Sequence, residues 1–188
     1  MKETLLKKIK DKEIVVGVVG LGYVGLPLAV EKAKAGFKTI GFDVQDEKVA
    51  LVNEGKNYIG DVVDEDLAEL VSAGMLSATT DFSFVKDVDF IAICVPTPLD
   101  AHQQPDISYV KSSTEEIAKY LTEKTMVVLE STTYPGTTEE LIQPILEAGS
   151  GLVCGKDFYL GFSPERVDPG NAVFKTKNTP KVVGGVGT

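Results

Sequence analysis

The chain's 188 residues, 43% hydrophobic and 25% charged, describe one ordinary globular domain, or one domain plus a fragment of another. A net charge of −9 argues against nucleic-acid and anionic-membrane surfaces, although helix N-termini and a few basic residues still admit an anionic ligand. No apolar run approaches the roughly 18 residues of a bilayer span, and the charged start lacks the apolar core of a signal peptide.

Residues 1–12 read as a short amphipathic lead-in, with Leu5, Leu6 and Ile9 on one side. From residue 13 to 188, strands and helices alternate. That order predicts an α/β fold: a Rossmann-type, doubly wound, mainly parallel sheet with helices on both faces. Ile14–Val19 is apolar and β-branched, as a buried parallel strand should be. Gly20-Leu21-Gly22-Tyr23-Val24-Gly25 follows, then a helix over Leu26–Ala35 with Pro27 tolerated in its first turn. Phe37–Phe42 reads as the second strand, and Asp43 closes it, eighteen residues beyond Gly25.

Gly-x-Gly-x-x-Gly alone is a weak signal, because glycine-rich turns occur in other α/β proteins. Between a strand and a helix, with an acidic residue ending the next strand, it is the dinucleotide-binding fingerprint. Gly20 permits the tight turn, Gly22 lets a pyrophosphate approach the backbone, and Gly25 lets helix and strand pack closely. Tyr23 and Val24 lie at the helix N-terminus, whose N–H groups face the phosphates. Asp43 can accept hydrogen bonds from both adenosine ribose hydroxyls and would repel a 2′-phosphate, so the expected cofactor is NAD rather than NADP. Lys48, on the predicted helix Asp46–Asn53, is counted with the cofactor contacts.

Asn57–Val63 reads as a loop, and Asp64 as the cap of a helix over Glu65–Ala73. Leu76–Thr79 is a short strand, Ser83–Val85 a helical turn and Asp89–Val95 a strongly apolar fourth strand. Pro96-Thr97-Pro98 breaks that strand. Asp106 is expected to cap a helix over Ile107–Leu121. Met126–Leu129 is the fifth strand, Glu130 to Gly136 the turn after it, and Thr137–Leu146 a helix. Phe158–Gly161 is the sixth strand, Phe162–Gly170 an irregular segment, and Lys181–Val183 a candidate seventh strand.

In such a sheet, ligands bind at the carboxyl ends of the strands, near the switch in strand order. Val95, Pro96 and Thr97, then Ser131 and Thr132, and finally the segment from Ser163 to Gly170 all fall at such ends. Thr97, Ser131 and Thr132 offer hydroxyls to a nicotinamide ribose or a substrate, and Glu165 a carboxylate that could take or relay a proton. Each piece has a plainer alternative: a rigid proline loop, hydroxyls capping a turn, a solvated surface carboxylate. Their convergence on one sheet edge favours function.

The two cysteines are sixty residues apart, and His102 is the only histidine, so neither a disulfide framework, a metal site nor a Cys–His pair is expected. Cys94 reads as a small buried hydrophobe and Cys154 as a loop residue. A reducing, cytoplasmic setting fits.

With these motifs together, the chain resembles the NAD-binding part of the UDP-sugar 6-dehydrogenases, from about Lys12 to the end. The resemblance rests on Tyr23-Val24-Gly25-Leu26-Pro27, Val95-Pro96-Thr97-Pro98, Ser131-Thr132 with Pro135-Gly136-Thr137, and Ser163-Pro164-Glu165-Arg166 with Asp168-Pro169-Gly170. The last segment is similar to the branch acting on UDP-N-acetylhexosamines. The UDP-glucose branch more often has Asn-Pro-Glu-Phe-Leu there.

The resemblance implies oxidation of a sugar C6 alcohol to the carboxylate with two NAD per turnover, for envelope polysaccharide precursors. An aldehyde forms first; a cysteine traps it, and after the second hydride transfer water hydrolyses the thioester. By position, Thr132 and Glu165 would be catalytic, and Glu165, Arg166, Val167 and Asp168 would line the sugar site. The family's catalytic cysteine lies in a glycine-rich motif further downstream, and neither Cys94 nor Cys154 matches it. The chain is therefore expected to be a truncated cofactor domain, inactive alone. It would lack the central helix that builds a homodimer or higher oligomer and the C-terminal domain that binds UDP. A single-step 3-hydroxy-acid dehydrogenase domain and a non-catalytic NAD-binding module are the alternatives.

Overall fold

The computed structural model describes residues 2–99, 103–166, 171, 173–174 and 176–187. Val167, Asp168, Pro169 and Gly170, expected near the substrate, lie outside the described residues, as does His102. In chain order the elements are α1 (Lys2–Lys10), β1 (Val15–Val19), α2 (Gly25–Lys34), β2 (Lys38–Phe42), α3 (Asp46–Asn53), α4 (Asp64–Ser72), β3 (Leu76–Thr79), a 3-10 segment (Phe82–Asp87) and β4 (Phe90–Ile93). Then come α5 (Ser108–Ala118), β5 (Met126–Leu129), a widened π-helical segment (Thr137–Ile142), α6 (Gln143–Ser150), β6 (Tyr159–Phe162) and β7 (Gly184–Gly185).

The seven strands lie in the order β3-β2-β1-β4-β5-β6-β7. β1 through β6 are parallel, and β7 returns antiparallel to β6. The order reverses between β1 and β4, which opens a crevice at their carboxyl ends. Both sheet faces are buried, hence the near-continuous apolar strands. One face packs Val16, Val18 and Ala92 against Leu26, Ala29 and Val30 of α2 and Leu67 of α4. The other packs Ile91, Ile93, Val127 and Leu129 against Val110 and Ile117 of α5 and Leu146 of α6. Among the described residues, no helix is long and apolar enough to cross a membrane.

Several local expectations change. In α1, Leu5 is buried and Ile9 packs on the core, but Leu6 is 46% exposed. Leu5 and Ile9 are four residues apart and share a face, whereas Leu6 is turned a quarter circle away. Lys8 Nζ reaches Asp89 at 2.6 Å, and the other Asp89 oxygen accepts from Val15 N–H, so α1 is fastened to the edge of the sheet opposite the crevice.

Asp64 is the first residue of α4 rather than its cap, a position taken by Val63 without a side-chain bond; Asp64, Glu65 and Asp66 instead place negative charge against the helix dipole. Asp106 lies just outside α5 and accepts from Ser108 N–H at 2.9 Å. The helix expected at Thr137–Leu146 opens as a π segment and becomes α-helical only at Gln143. Pro144, which lacks an N–H and crowds the preceding turn, sits in the first turn of α6, where it is tolerated.

The seventh strand is Gly184–Gly185, not Lys181–Val183. Phe162 pairs with Gly184, while Val182 and Val183 remain exposed and Lys181 turns toward Glu130.

Candidate cofactor and active site

β1 delivers the chain into the glycine turn. Gly20 has φ +91°, a left-handed value that costs a side-chain-bearing residue strain. Gly25 begins α2 against the same turn, where a Cβ would stand 1.8 Å from the Gly20 carbonyl oxygen. Gly22 differs: a Cβ there would meet nothing within 4 Å. Two glycines therefore build the turn, and the third leaves its outer side open.

That side faces a cleft of about 550 Å³. Gly20, Gly22, Tyr23 and Val24 border it on the β1 end, Asp43 and Lys48 on the β2 end, Val95, Pro96 and Thr97 on the β4 end, and Ser131, Thr132 and Glu165 on the β5 and β6 ends. Gly25 contributes through packing and does not line it. Arg166 is exposed and does not line it either; its N–H donates to Glu165 Oε1 at 2.6 Å. A narrower recess of about 150 Å³ adjoins at Asp43, walled by Val44, Phe82, Pro96 and Tyr109.

Asp43 is buried and already engaged. Its Oδ2 accepts from Leu21 N–H at 2.8 Å and its Oδ1 from Gln45 N–H at 3.0 Å, with Lys48 Nζ 3.7 Å from Oδ2. It thus braces the glycine turn as well as closing β2. The two N–H bonds leave lone pairs on both oxygens for further donors.

The hydroxyls are less free than sequence reasoning expects. Ser131 is buried, and its Oγ donates inward to the Val95 carbonyl at 2.7 Å. Thr97 Oγ1 donates to the Thr132 carbonyl at 2.6 Å. Both protons tie the β4 and β5 loops together across 35 and 36 positions, a bracing role distinct from local turn capping. Thr132 is exposed into the cleft.

Tyr58, Ile59, Cys94 and Glu130 also border the cleft and are not assigned to the site from sequence; two of them carry polar contacts that shape it. Tyr58, in the loop between α3 and α4, donates its hydroxyl to the Leu21 carbonyl at 2.7 Å. Burial, with the nearby Asp43 charge, pushes this phenol well up, so it remains a donor. Nothing in the pattern of a polar loop marks it. Glu130 is buried at the end of β5 and forms an ion pair with Lys181. A charged residue directly after an apolar strand was the available signal.

Cys94 lies one residue beyond β4, buried at the cleft floor; burial and then the Glu130 charge push its thiol well above the ordinary range. Cys154 precedes β6 and does not line the cleft.

A glycine turn between a parallel strand and a helix N-terminus, an acid closing the next strand, and a cleft across the switch point define a dinucleotide-binding domain of the dehydrogenase type. The open side of Gly22 and the spare lone pairs of Asp43 fit a pyrophosphate and a ribose. Residues 14–188 match the UDP-glucose/GDP-mannose dehydrogenase family, NAD binding domain, and the chain belongs to that family.

It is 42% identical over 170 residues to Protein CapL of Staphylococcus aureus, covering 90% of this chain and 39% of that protein. It is 41% identical over 174 residues to a UDP-N-acetyl-D-glucosamine 6-dehydrogenase of Pseudomonas aeruginosa, covering 93% and 40%. Among solved structures, a UDP-D-ManNAc dehydrogenase from Pyrococcus horikoshii superposes with a TM-score of 0.85 at 36% identity, over 92% of this chain and 41% of that one. The chain thus spans about two-fifths of the length of these relatives.

Proposed function

We propose that the chain is the cofactor half of a UDP-N-acetylhexosamine 6-dehydrogenase, the sugar C6 alcohol being oxidised to a carboxylate in the longer protein. One observation carries the reading: the glycine turn, Asp43, Thr132 and Glu165, from the ends of four different strands, border a single cleft. The Ser163-Pro164-Glu165-Arg166 segment and the named relatives favour the N-acetylhexosamine branch.

NAD, when bound, accepts the substrate's electrons, two molecules for the four-electron oxidation. The chain's own residues then divide the work. The open backbone at Gly22 and the N–H groups of Tyr23 and Val24 receive the pyrophosphate. Asp43 accepts from the adenosine ribose, with Lys48 steadying its charge. Val95, Pro96 and Thr97 form the cleft wall on the β4 side, and Ser131 and Thr97 hold the two loops in register. Thr132 hydrogen-bonds in the active site. Glu165 takes or relays a proton, or positions the hydrolytic water, with Arg166, Val167 and Asp168 alongside the sugar.

The thiol that traps the aldehyde, the UDP-binding surface and a dimer-building helix come from the rest of the longer protein. Its setting is the cytoplasm, and its product feeds envelope polysaccharide synthesis. NADH formation across a panel of UDP-sugars tests the reading. Oxidation of UDP-N-acetylhexosamines ahead of UDP-glucose is expected, and the reverse order would overturn the branch assignment.

Cofactor choice is testable on this chain. NAD should bind well ahead of NADP, because a carboxylate at the ribose end repels a 2′-phosphate. Asp43→Ala should weaken NAD about tenfold or more, since hydrogen bonds to a charged acceptor are among the stronger ones. Asp43→Asn, which keeps an acceptor for Leu21 N–H, isolates the charge and should narrow the NAD preference. Calorimetric titration with both cofactors reads this, and tighter NADP binding by the parent chain would end the claim.

A further inference from the structure

Beyond the ends of β4, β5 and β6 the ladder continues for one more rung. Cys94 N–H bonds to the Val19 carbonyl, Glu130 N–H to that of Ile93 and Ser163 N–H to that of Leu129, each at 2.8–2.9 Å. Ile93, Leu129 and Phe162 are partners across the sheet, so Cys94, Glu130 and Ser163 form the next row. All three side chains are buried, and Glu130 is the charged one, 6% exposed.

Its counter-ion arrives from far along the chain. Lys181 reaches Glu130 across 51 positions, which closes the start of the β7 segment onto the end of β5. The pair is not symmetric about the cleft. Glu130 borders the cleft itself and also a second hollow behind α2, where Leu28, Lys32 and Phe37 form part of the wall. Lys181 borders only the rear hollow. Glu130 therefore borders the cleft as well as the rear hollow, whereas Lys181 stands on the rear side of the pair. The neighbouring Cys94 thiol senses this field: burial raises it most, the Glu130 charge raises it further, and Lys181 opposes with a smaller effect.

In a doubly wound sheet the adenosine half of a dinucleotide lies over β1 and β2, and the nicotinamide half across the switch point, over β4 and β5. Glu130 ends β5 on that second side, next to Ser131 and Thr132. The oxidised nicotinamide ring carries a positive charge and the reduced ring none. A buried carboxylate beside it therefore acts differently on the two forms, while its ammonium partner, set further back, partly cancels that action.

We propose that the Glu130–Lys181 pair sets the relative affinity of this domain for oxidised and reduced NAD, Glu130 favouring the oxidised form and Lys181 moderating that preference. The inference rests on the reading of the cleft as an NAD site with its nicotinamide end at β4–β5. It makes Glu130 and Lys181 positioning residues that act on ring charge, with no part in bond making. Its functional sense is release: an oxidation that uses two NAD per substrate must discharge NADH between steps, and a cleft wall that prefers the cation assists that exchange.

The experiment compares dissociation constants for NAD⁺ and NADH in the 188-residue chain, by calorimetry and NADH fluorescence, at low and moderate salt. Glu130→Gln keeps the size and removes the charge. It should shift the NADH-to-NAD⁺ ratio of dissociation constants toward NADH by about fivefold. Lys181→Gln should shift the same ratio the other way, and Lys181→Arg should leave it near that of the parent. The double Gln variant should fall between the two single variants. Circular dichroism melting accompanies each protein.

A purely structural pair would weaken both cofactors together in both variants, leaving the ratio unmoved. That result, or shifts of the same sign in Glu130→Gln and Lys181→Gln, overturns the proposal. Should a Lys181 variant fail to fold, Glu130→Gln alone decides, because an unmoved ratio there is also fatal. Absence of saturable binding of either form by the folded parent chain would instead sink the NAD reading of the cleft, an outcome distinct from an unmoved ratio.

Discussion

Gly22→Val is expected to leave the chain folded and to remove measurable NAD binding. The Cβ position at Gly22 meets no protein atom within 4 Å, and its backbone is not in the left-handed region, so neither packing nor strain opposes the new side chain. The space it enters is the cleft, along the path by which a pyrophosphate approaches the turn. The added isopropyl group blocks that approach, and affinity should fall by about a hundredfold or more.

Gly25→Ala provides the contrast. Its Cβ would lie 1.8 Å from the Gly20 carbonyl oxygen, a backbone atom that cannot swing aside. That variant should lose stability by about 2 kcal/mol or more, or fail to fold. Thermal melts followed by circular dichroism, together with a binding titration, separate the two effects. Retained NAD affinity in a folded Gly22→Val protein would reduce the open turn to scaffolding.

The second large effect is an absence. The 188-residue chain should give no sustained NADH production from UDP-N-acetylglucosamine and excess NAD. Trapping an aldehyde as a thiohemiacetal requires an accessible thiolate at the sugar C6. Cys94 is buried at the cleft floor, and its surroundings hold it protonated. Cys154 precedes β6, away from the cleft, with its thiol also raised by burial. The chain further spans only about two-fifths of its relatives' length, and loss of remote substrate contacts lowers rate as well as affinity.

Turnover that survives replacement of both cysteines by serine would refute this account and favour single-step hydroxy-acid oxidation. In the longer protein, Glu165→Gln should slow turnover by about a hundredfold or more at nearly unchanged NAD affinity, because the carboxylate is assigned to proton work on the sugar side.

What the sequence by itself determined is whatever depends on neighbours along the chain. Ile14–Val19 and Asp89–Val95 read as buried strands of a parallel sheet because short apolar runs bounded by turn residues have few other uses at that length. The glycine turn followed by Asp43 is legible because its three glycines answer to local demands: a left-handed φ at Gly20, a crowded carbonyl at Gly25 and an open side at Gly22. From these the Rossmann-type fold class and the NAD-binding class follow, and the family match agrees with them.

Tertiary structure decided what depends on which strands become neighbours. Ser131 and Thr97 look like ligand donors in the sequence, yet each donates to a carbonyl more than thirty residues away, because β4 and β5 end side by side. Tyr58 becomes a clamp on the glycine turn only once its loop folds over β1. The partnership of Glu130 with Lys181, and the displacement of β7 to Gly184–Gly185, arise from a return strand whose register is set against β6. A hydrogen bond or ion pair across such distances leaves no periodic trace, since its energy is realised only when the sheet has formed.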